Sequence, residues 1–371
     1  MKINLLGQTL GELQELCATE GFPRFTAKQI CDWLYKKRVD TIDAMTNLSK
    51  VQRSRLGEIA YIGRETPMRC QVSKDGTKKY LFGLTQPHPL GMPRELVERT
   101  PSPRGEGESA KYVEAVFIPR VSTPLSPGRG DGGEAATLCV SCQVGCKMGC
   151  RFCVTGQQGF HGNLSAGDIL NQLFSILEFE NLTNVVFMGM GEPMDNLDAV
   201  LAATQVLTSD WGLGWSPKRI TVSTVGLVPG LKRFLDESQC HLAVSLHNPI
   251  ANERLQMMPV QKAYPLSEVL ALLRQYNWSG QRRLSFEYTM FRGINDDIAH
   301  AKRLVETLRG LDCRVNLIRF HESDEAPYKT SLPTTIADFQ NYLNRNGIIC
   351  TLRASRGQDI DAACGLLAGK E

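Results

Sequence analysis

Long apolar runs are missing from this chain. No stretch reaches the roughly 18 consecutive apolar residues that a membrane-spanning helix needs. The opening Met1-Lys2-Ile3-Asn4 also lacks the apolar run of a secretory signal, so the expectation is a cytoplasmic chain with no membrane partner. Charge of one sign is scarce as well. Lys and Arg number 42 against 39 Asp and Glu, a net +3 over 371 residues. That balance permits a nucleic-acid partner without arguing for one. Hydrophobic content of 42% and charged content of 22% suit a globular protein with a sizeable core.

Cysteine is plentiful, twelve residues in all. A reducing compartment disfavours disulfides, so clustered cysteines there point to metal or catalysis. Five lie between Cys139 and Cys153. Isolated ones, such as Cys17, Cys31, Cys70, Cys240, Cys313 and Cys350, read as small buried hydrophobes.

Three regions follow from the patterning. Residues 1–60 carry helical spacing in Leu10-Leu13-Leu16-Cys17 and Ile30-Trp33-Leu34, with Thr26 as an expected helix N-cap and no strong strand pattern. They form a small helical accessory domain. Arg24, Lys28, Lys36, Lys37 and Arg38 surround the single acid Asp32 there, a patch that suits phosphate contact or a solvated face equally. Residues 61–135 hold short strands, at Lys79–Phe82 and Tyr112–Ile118, between loops at Gln86–Ala110 and Val121–Glu134 rich in Pro, Gly, Ser and Arg.

From 136 to 371 apolar strands alternate with amphipathic helices. Strands are expected at 136–141, 184–190, 219–224, 241–246, 283–290 and 313–320. Helices are expected to begin near Ser165, Asn196, Val228, Pro265, Ile298 and Thr335. Alternation of this kind means α/β architecture with parallel strands and right-handed crossovers. A closed eight-unit barrel typically needs about 250 residues. The expected fold is therefore an open six-unit (β/α) partial barrel, with a flat doubly wound sheet as the alternative. Either one places the active site at the C-terminal ends of the strands.

The first of these strands runs into Cys139-Val140-Ser141-Cys142 and then Cys146, Cys150 and Cys153. The Cys-x3-Cys-x2-Cys spacing puts three thiolates on one short loop. Three thiolates leave one iron of a four-iron cluster open to a ligand with an amine and a carboxylate. A structural zinc site on Cys139, Cys142, Cys150 and Cys153 is the alternative, but its pairs are closer together than in common zinc ribbons. The second strand ends in Met188-Gly189-Met190-Gly191-Glu192-Pro193, where glycines permit close backbone approach and Glu192 can meet an ammonium. Later strand ends supply Ser223, then Ser245-Leu246-His247, and a seventh short strand leads to Ser355–Gly365.

The cysteine spacing, with Phe152 before the last cysteine, resembles the radical S-adenosylmethionine (SAM) superfamily. Longer segments are similar to one family within it: Thr137-Leu138-Cys139-Val140-Ser141, Gln143-Val144-Gly145-Cys146, Thr155-Gly156-Gln157-Gln158-Gly159-Phe160 and Asp359-Ile360-Asp361-Ala362-Ala363-Cys364-Gly365. These resemble the RlmN family, dual-specificity methyltransferases acting on adenine carbon 2 of 23S rRNA and tRNA. A related group methylates carbon 8 instead. The likeness runs from Gly21 to Gly369, leaving only the two loops unmatched.

The resemblance implies a [4Fe–4S] cluster on Cys146, Cys150 and Cys153, and two SAM molecules per turnover. One SAM methylates Cys364 by displacement on its thiolate. The other yields a radical that activates this methyl group, because an aromatic C–H carbon is no nucleophile. It further implies Cys139 as the thiol that resolves the protein–RNA adduct, through a transient Cys139–Cys364 disulfide, and Glu114 as proton acceptor. The implied SAM contacts are Gly191, Glu192, Ser223, Ser245, Leu246 and His247. A further contact, where many members carry asparagine, falls on His321. Cys142 stands where serine is more usual. Implied partners are 23S rRNA, tRNA and a reductant such as flavodoxin or ferredoxin, with the chain a monomer.

Overall fold

The structure is a computed structural model that describes residues 2–84, 111–120, 136–280, 282–322 and 326–369. The loops expected at 86–110 and 121–134 lie outside the described residues.

The N-terminal region holds α1 (Leu10–Thr19), α2 (Thr26–Cys31) and α3 (Lys50–Ile59). Thr9 and Ser49 start α1 and α3 with reciprocal capping boxes, each hydroxyl accepting an N–H while the Glu12 or Gln52 side chain answers the cap's own N–H. Thr26 is not the N-cap that was expected. It is already the first residue of α2, and its buried hydroxyl accepts from Gln52 Nε2 at 3.3 Å instead. A strand pair unseen in the sequence, β1 (Ile3–Asn4) beside β2 (Ala60–Tyr61), ties the two ends of this region in parallel.

The main sheet has ten strands. Its antiparallel part is β3 (Arg69–Val72), β4 (Lys78–Leu84) and β5 (Lys111–Ile118). β3 has no clear period in the sequence and was not expected. β5 then pairs with β6 (Thr137–Cys139), where the parallel part begins. A two-stranded hairpin, β7 (Gln143–Gly145) with β8 (Phe160–Asn163), stands apart and brackets the cysteine loop. The parallel strands continue with β9 (Asn184–Phe187), β10 (Ile220–Thr224), β11 (His241–Ser245), β12 (Leu284–Met290), β13 (Arg314–Arg319) and β14 (Ile349–Leu352).

Each parallel strand neighbours the next in chain order, β6 to β9 and on to β14. A doubly wound sheet must reverse its strand order at a switch point, and no reversal occurs here. Unidirectional right-handed crossovers put the connecting helices on one face and wrap the sheet into a barrel. The helices are α5 (Ala166–Phe174), α6 (Leu197–Thr208), α7 (Val228–Glu237), α9 (Leu266–Leu273), α10 (Ile298–Leu308) and α11 (Pro333–Arg345). Two short helices belong to strand-end loops: α4 (Val154–Gln157) and α8 (Ala251–Met257). β14 and β3 are opposite edges of the sheet, so the barrel is open, as expected. Among the described residues no helix is long and apolar enough to cross a membrane.

β12 illustrates how the barrel sorts its faces. Leu284, Phe286, Tyr288 and Met290 pack outward, with Tyr288 against Phe339 of α11 at 5.2 Å between ring centroids. By the strand's period of two, Ser285, Glu287 and Thr289 point to the lumen. Of the isolated cysteines, Cys17, Cys31, Cys240 and Cys350 are buried as expected, whereas Cys70 is exposed.

The N-terminal region packs on α5. Phe174 is almost fully buried, with ring centroids 6.3 Å from Tyr35 and 5.5 Å from Phe179. Arg38 pairs with Glu180 and lies over the Phe179 ring. It is thus engaged in this junction, while Lys36 and Lys37 flank Asp32 at 3.8 and 3.6 Å. Phe174→Ala should cost about 3–5 kcal/mol through the cavity it leaves, read as a lowered urea midpoint at unchanged slope.

Candidate active site

The cysteine loop is shaped by close backbone contact. Cys146 N donates to Gly159 O at 2.8 Å, and Arg151 N donates to Met257 O at 3.0 Å. Gly145 sits at φ +71°, and a Cβ there would collide with the Gly159 carbonyl. Burial pushes the Cys146 thiol up to about 12 and the Cys150 thiol well above its ordinary value. Cys153 is raised by burial too, against the pull of hydrogen bonds from Gly156 and Thr155. Thiols kept protonated by burial suit a metal that displaces their protons on binding.

A cavity opens above the loop. Its walls include Phe152, Cys153, Gly191, Glu192, Ser223, Ser245, His247, Glu287, Thr289, Arg319, Phe320 and Cys364. The three thiols of one loop, soft donors beside this cavity, fit an iron–sulfur cluster with an open iron. Among the described residues no three Cys, His, Asp or Glu side chains converge closely enough to share a single metal ion.

Five expected SAM contacts therefore line one cavity: Gly191, Glu192, Ser223, Ser245 and His247. Leu246 is fully buried and His321 lies one residue beyond the lining. The strand-end glycines do more than admit a ligand. A Cβ on Gly189 would meet Ser141 Oγ and Val140 O, and one on Gly191 would meet Gln143 and the Cys142 thiol. They let two strand-end loops pack together. Cys142 thus packs against Gly191, with Glu192 and Cys146 as its titratable neighbours.

Glu192 is buried, and its carboxyl is pushed up to about 7, chiefly by burial. Hydrogen bonds from Thr224 Oγ1 (2.6 Å), Val225 N (2.9 Å) and Met194 N (3.1 Å) pull the other way. His247 is held near 3 by burial and then by the Arg254 charge, so its ring is neutral. Nδ1 accepts from Thr289 N at 3.0 Å, which leaves Nε2–H as a donor. Phe152 meets this ring edge-on at 5.0 Å.

Cys364 arrives from the far end of the chain. Val154 N donates to Gly365 O at 2.8 Å, and Thr155 Oγ1 to Leu367 O at 2.6 Å. Glu114 Oε2 accepts from Ala368 N (2.7 Å) and Gly369 N (3.1 Å), while Lys79 pairs with Oε1 at 3.2 Å. Upstream, Asp359 accepts from Ser73 Oγ and Lys74 N, and Asp75 accepts from Gly357 N. Burial, then the charge of Cys364, pushes the Cys139 thiol up to about 12. Both thiols are free.

Two lumen residues escaped the sequence reading. Glu287 Oε1 accepts from Asn316 Nδ2 (2.8 Å) and pairs with Arg353 Nη2 (3.1 Å), while its buried Oε2 has no partner among the described residues. Arg353 bears on both Cys139 and Cys364. The signal for Glu287 was present: an acid in phase with Ser285 and Thr289 inside an otherwise apolar strand.

Two family models match the chain. The ribosomal RNA large subunit methyltransferase N-terminal domain covers residues 3–62, and the radical SAM superfamily covers 140–305. The probable dual-specificity RNA methyltransferase RlmN of Phocaeicola vulgatus is 50% identical over 367 residues, 99% of this chain and 95% of that protein. The chain belongs to the RlmN family. The RlmN of Syntrophotalea carbinolica is 41% identical over all of this chain and 90% of its own length. Among solved structures, a radical SAM methyltransferase from Sphaerobacter thermophilus matches with a TM-score of 0.82 and 37% identity, covering 99% of this chain and 100% of that one. Membership in the RlmN family implies SAM and an iron–sulfur cluster, in agreement with the donor set of the cysteine loop.

Glu192 makes a prediction. Its folded value near 7 exceeds its ordinary 4.5, so its stabilisation is full below pH 4.5 and is lost as pH rises through 7. Glu192→Gln is neutral throughout. The melting temperature of cluster-free wild type minus that of the variant should fall between pH 4.5 and 8. A constant difference would mean that the carboxyl titrates normally.

Proposed function

We propose that this RlmN-family protein is a SAM-dependent methyltransferase acting on carbon 2 of an adenine in 23S rRNA and of an anticodon-loop adenine in tRNA. One observation carries the reading: Cys364 and Cys153 share the walls of one cavity, with Cys139 beside Cys364. A cluster alone begins many reactions. A further thiol, Cys364, on the wall of the same cavity suits a reaction in which the methyl group is first held on the protein.

Cys146, Cys150 and Cys153 would hold an iron–sulfur cluster, which with SAM would supply one-electron radical chemistry at this cavity. The chain's own residues do the rest. Glu192, once ionised, meets the ammonium of SAM, and the neutral His247 offers its Nε2–H. Gly191, Ser223 and Ser245 complete the wall. Leu246 acts through its backbone, and His321 contributes at the rim. Cys364 takes a methyl group from a first SAM and presents it to the target carbon; a second SAM is spent in activating it, two per turnover. Once the adduct has lost its carbon-2 proton and one electron, Cys139 gives up its proton and attacks the Cys364 sulfur; the sulfur–carbon bond breaks as the disulfide closes, and the released carbon takes the electron pair and a proton to leave as the methyl group of the base.

Glu114 has two roles in this reading. Its carboxylate clamps the Ala368 and Gly369 amides, which aims Cys364 at the cavity. It becomes a proton acceptor only after those amides let go. Residues 1–60 serve as an RNA-contacting domain, for which Arg24 and Lys28 are exposed. Residues 61–135 link it to the core at 136–371. A flavodoxin or ferredoxin delivers electrons, and the enzyme works as a cytoplasmic monomer.

Cys364→Ala should load its cluster and bind SAM as wild type does, yet leave no methyl group on protein or RNA. Mass analysis of nucleosides from rRNA and tRNA fragments reads this out. Wild-type methylation by the variant would end the reading, and 8-methyladenosine as the wild-type product would give the carbon-8 reaction instead. Thr155→Val removes one tether of the Cys364 segment. A misplacement of about 1 Å can cost about 100-fold, so methyl transfer to RNA should fall by about 10- to 100-fold with SAM affinity unchanged.

A further inference from the structure

Arg254, on α8, is the bulkiest fully buried side chain among the described residues. Its guanidinium donates to four oxygens: Leu246 O, Ser245 O and Val225 O at 3.1 Å each, and Gln261 Oε1 at 2.6 Å. All four are neutral. Among the described residues no carboxylate stands within ion-pair distance of it. Arg353, by contrast, has Glu287 at 3.1 Å. A guanidinium does not give up its proton in a protein. A buried cation without a counter-charge is costly, and such charges are normally paired.

The position of Arg254 suggests what pairs with it. The last turn of α8 runs into Met257, Met258 and Val260, which form one small apolar cluster with Cys150. The cysteine loop is tied to this turn through Arg151 N and Met257 O. Cys150 is the acidic group whose charge bears on Arg254, and the influence is mutual. With three thiolates on its irons a four-iron cluster is net negative, and it gains a further negative charge on reduction.

We propose that Arg254 is the charge partner of the iron–sulfur cluster, a fixed cation buried beneath the cysteine loop that stabilises the loaded state and eases its reduction. This rests on the cluster assignment to Cys146, Cys150 and Cys153. The same fork holds the ends of β10 and β11 through Val225, Ser245 and Leu246. A lysine could supply the charge, but not this grip on three carbonyls.

The test compares wild type with Arg254→Gln and Arg254→Lys, each reconstituted with iron and sulfide. The midpoint potential is read by reductive titration followed by electron paramagnetic resonance, and the melting temperature with and without cluster. The lysine variant should keep a potential close to wild type, and the glutamine variant should shift to a more negative one. Loading should raise the melting temperature less in the glutamine variant than in the other two. This increment compares each variant with itself, so lost hydrogen bonds cancel. Equal potentials and equal increments in wild type and Arg254→Gln would overturn the proposal alone, as would equal shifts in both variants. A wild-type protein that takes up no iron–sulfur would overturn the cluster assignment along with it.

Discussion

The backbone of residues 365–369 is held from two sides, and the site depends on that grip. On one side Val154 and Thr155, directly after Cys153, donate to Gly365 and Leu367 carbonyls. On the other, Glu114 accepts from Ala368 and Gly369. A segment this short has no apolar core of its own, so these hydrogen bonds and the burial of Leu367 in the main core locate it. Both anchors belong to other parts of the fold, α4 and β5. The distance between Cys364 and the cysteine loop is therefore set by the whole sheet, not by local chain geometry.

The antiparallel extension gains its meaning from this. β3, β4 and β5 lengthen the barrel sheet by its first edge, beyond β6. Their turn and strands carry Ser73, Asp75, Lys79 and Glu114, each of which bonds or pairs within the assembly that holds the C-terminal segment. A barrel of parallel strands alone would offer Cys364 no platform on this flank. The extension thus adds to the radical SAM core a platform that holds the Cys364 segment against the cavity.

Much of this was legible in the sequence where local chemistry decides. Strand and helix alternation after residue 136 gave the order of elements, and three close cysteines pointed to the loop beside the cavity. Ser165 was readable as a helix start because its capping box with Asp168 is local. Other features were not legible because they depend on distant partners. Thr26 resembled an N-cap, but its hydroxyl answers Gln52, 26 residues away. β3 shows no alternation, since its residues are mostly exposed and only pairing with β4 makes it a strand. Glu114 read as a strand-face carboxylate, and its partners lie more than 250 residues downstream.

The electrostatics of the cavity follow from the burial of its titratable groups. Burial drives Cys146 toward 12, Glu192 toward 7 and His247 toward 3, in each case toward the neutral form. The cost of a bare charge in a buried setting favours that form. A ligand that brings an opposite charge offsets this cost, and one that brings none leaves it in place. Arg254 keeps its charge in every state. Its position under the one loop expected to gather negative charge, between two strand ends that shape the SAM cavity, links the loading of that loop to the geometry above it.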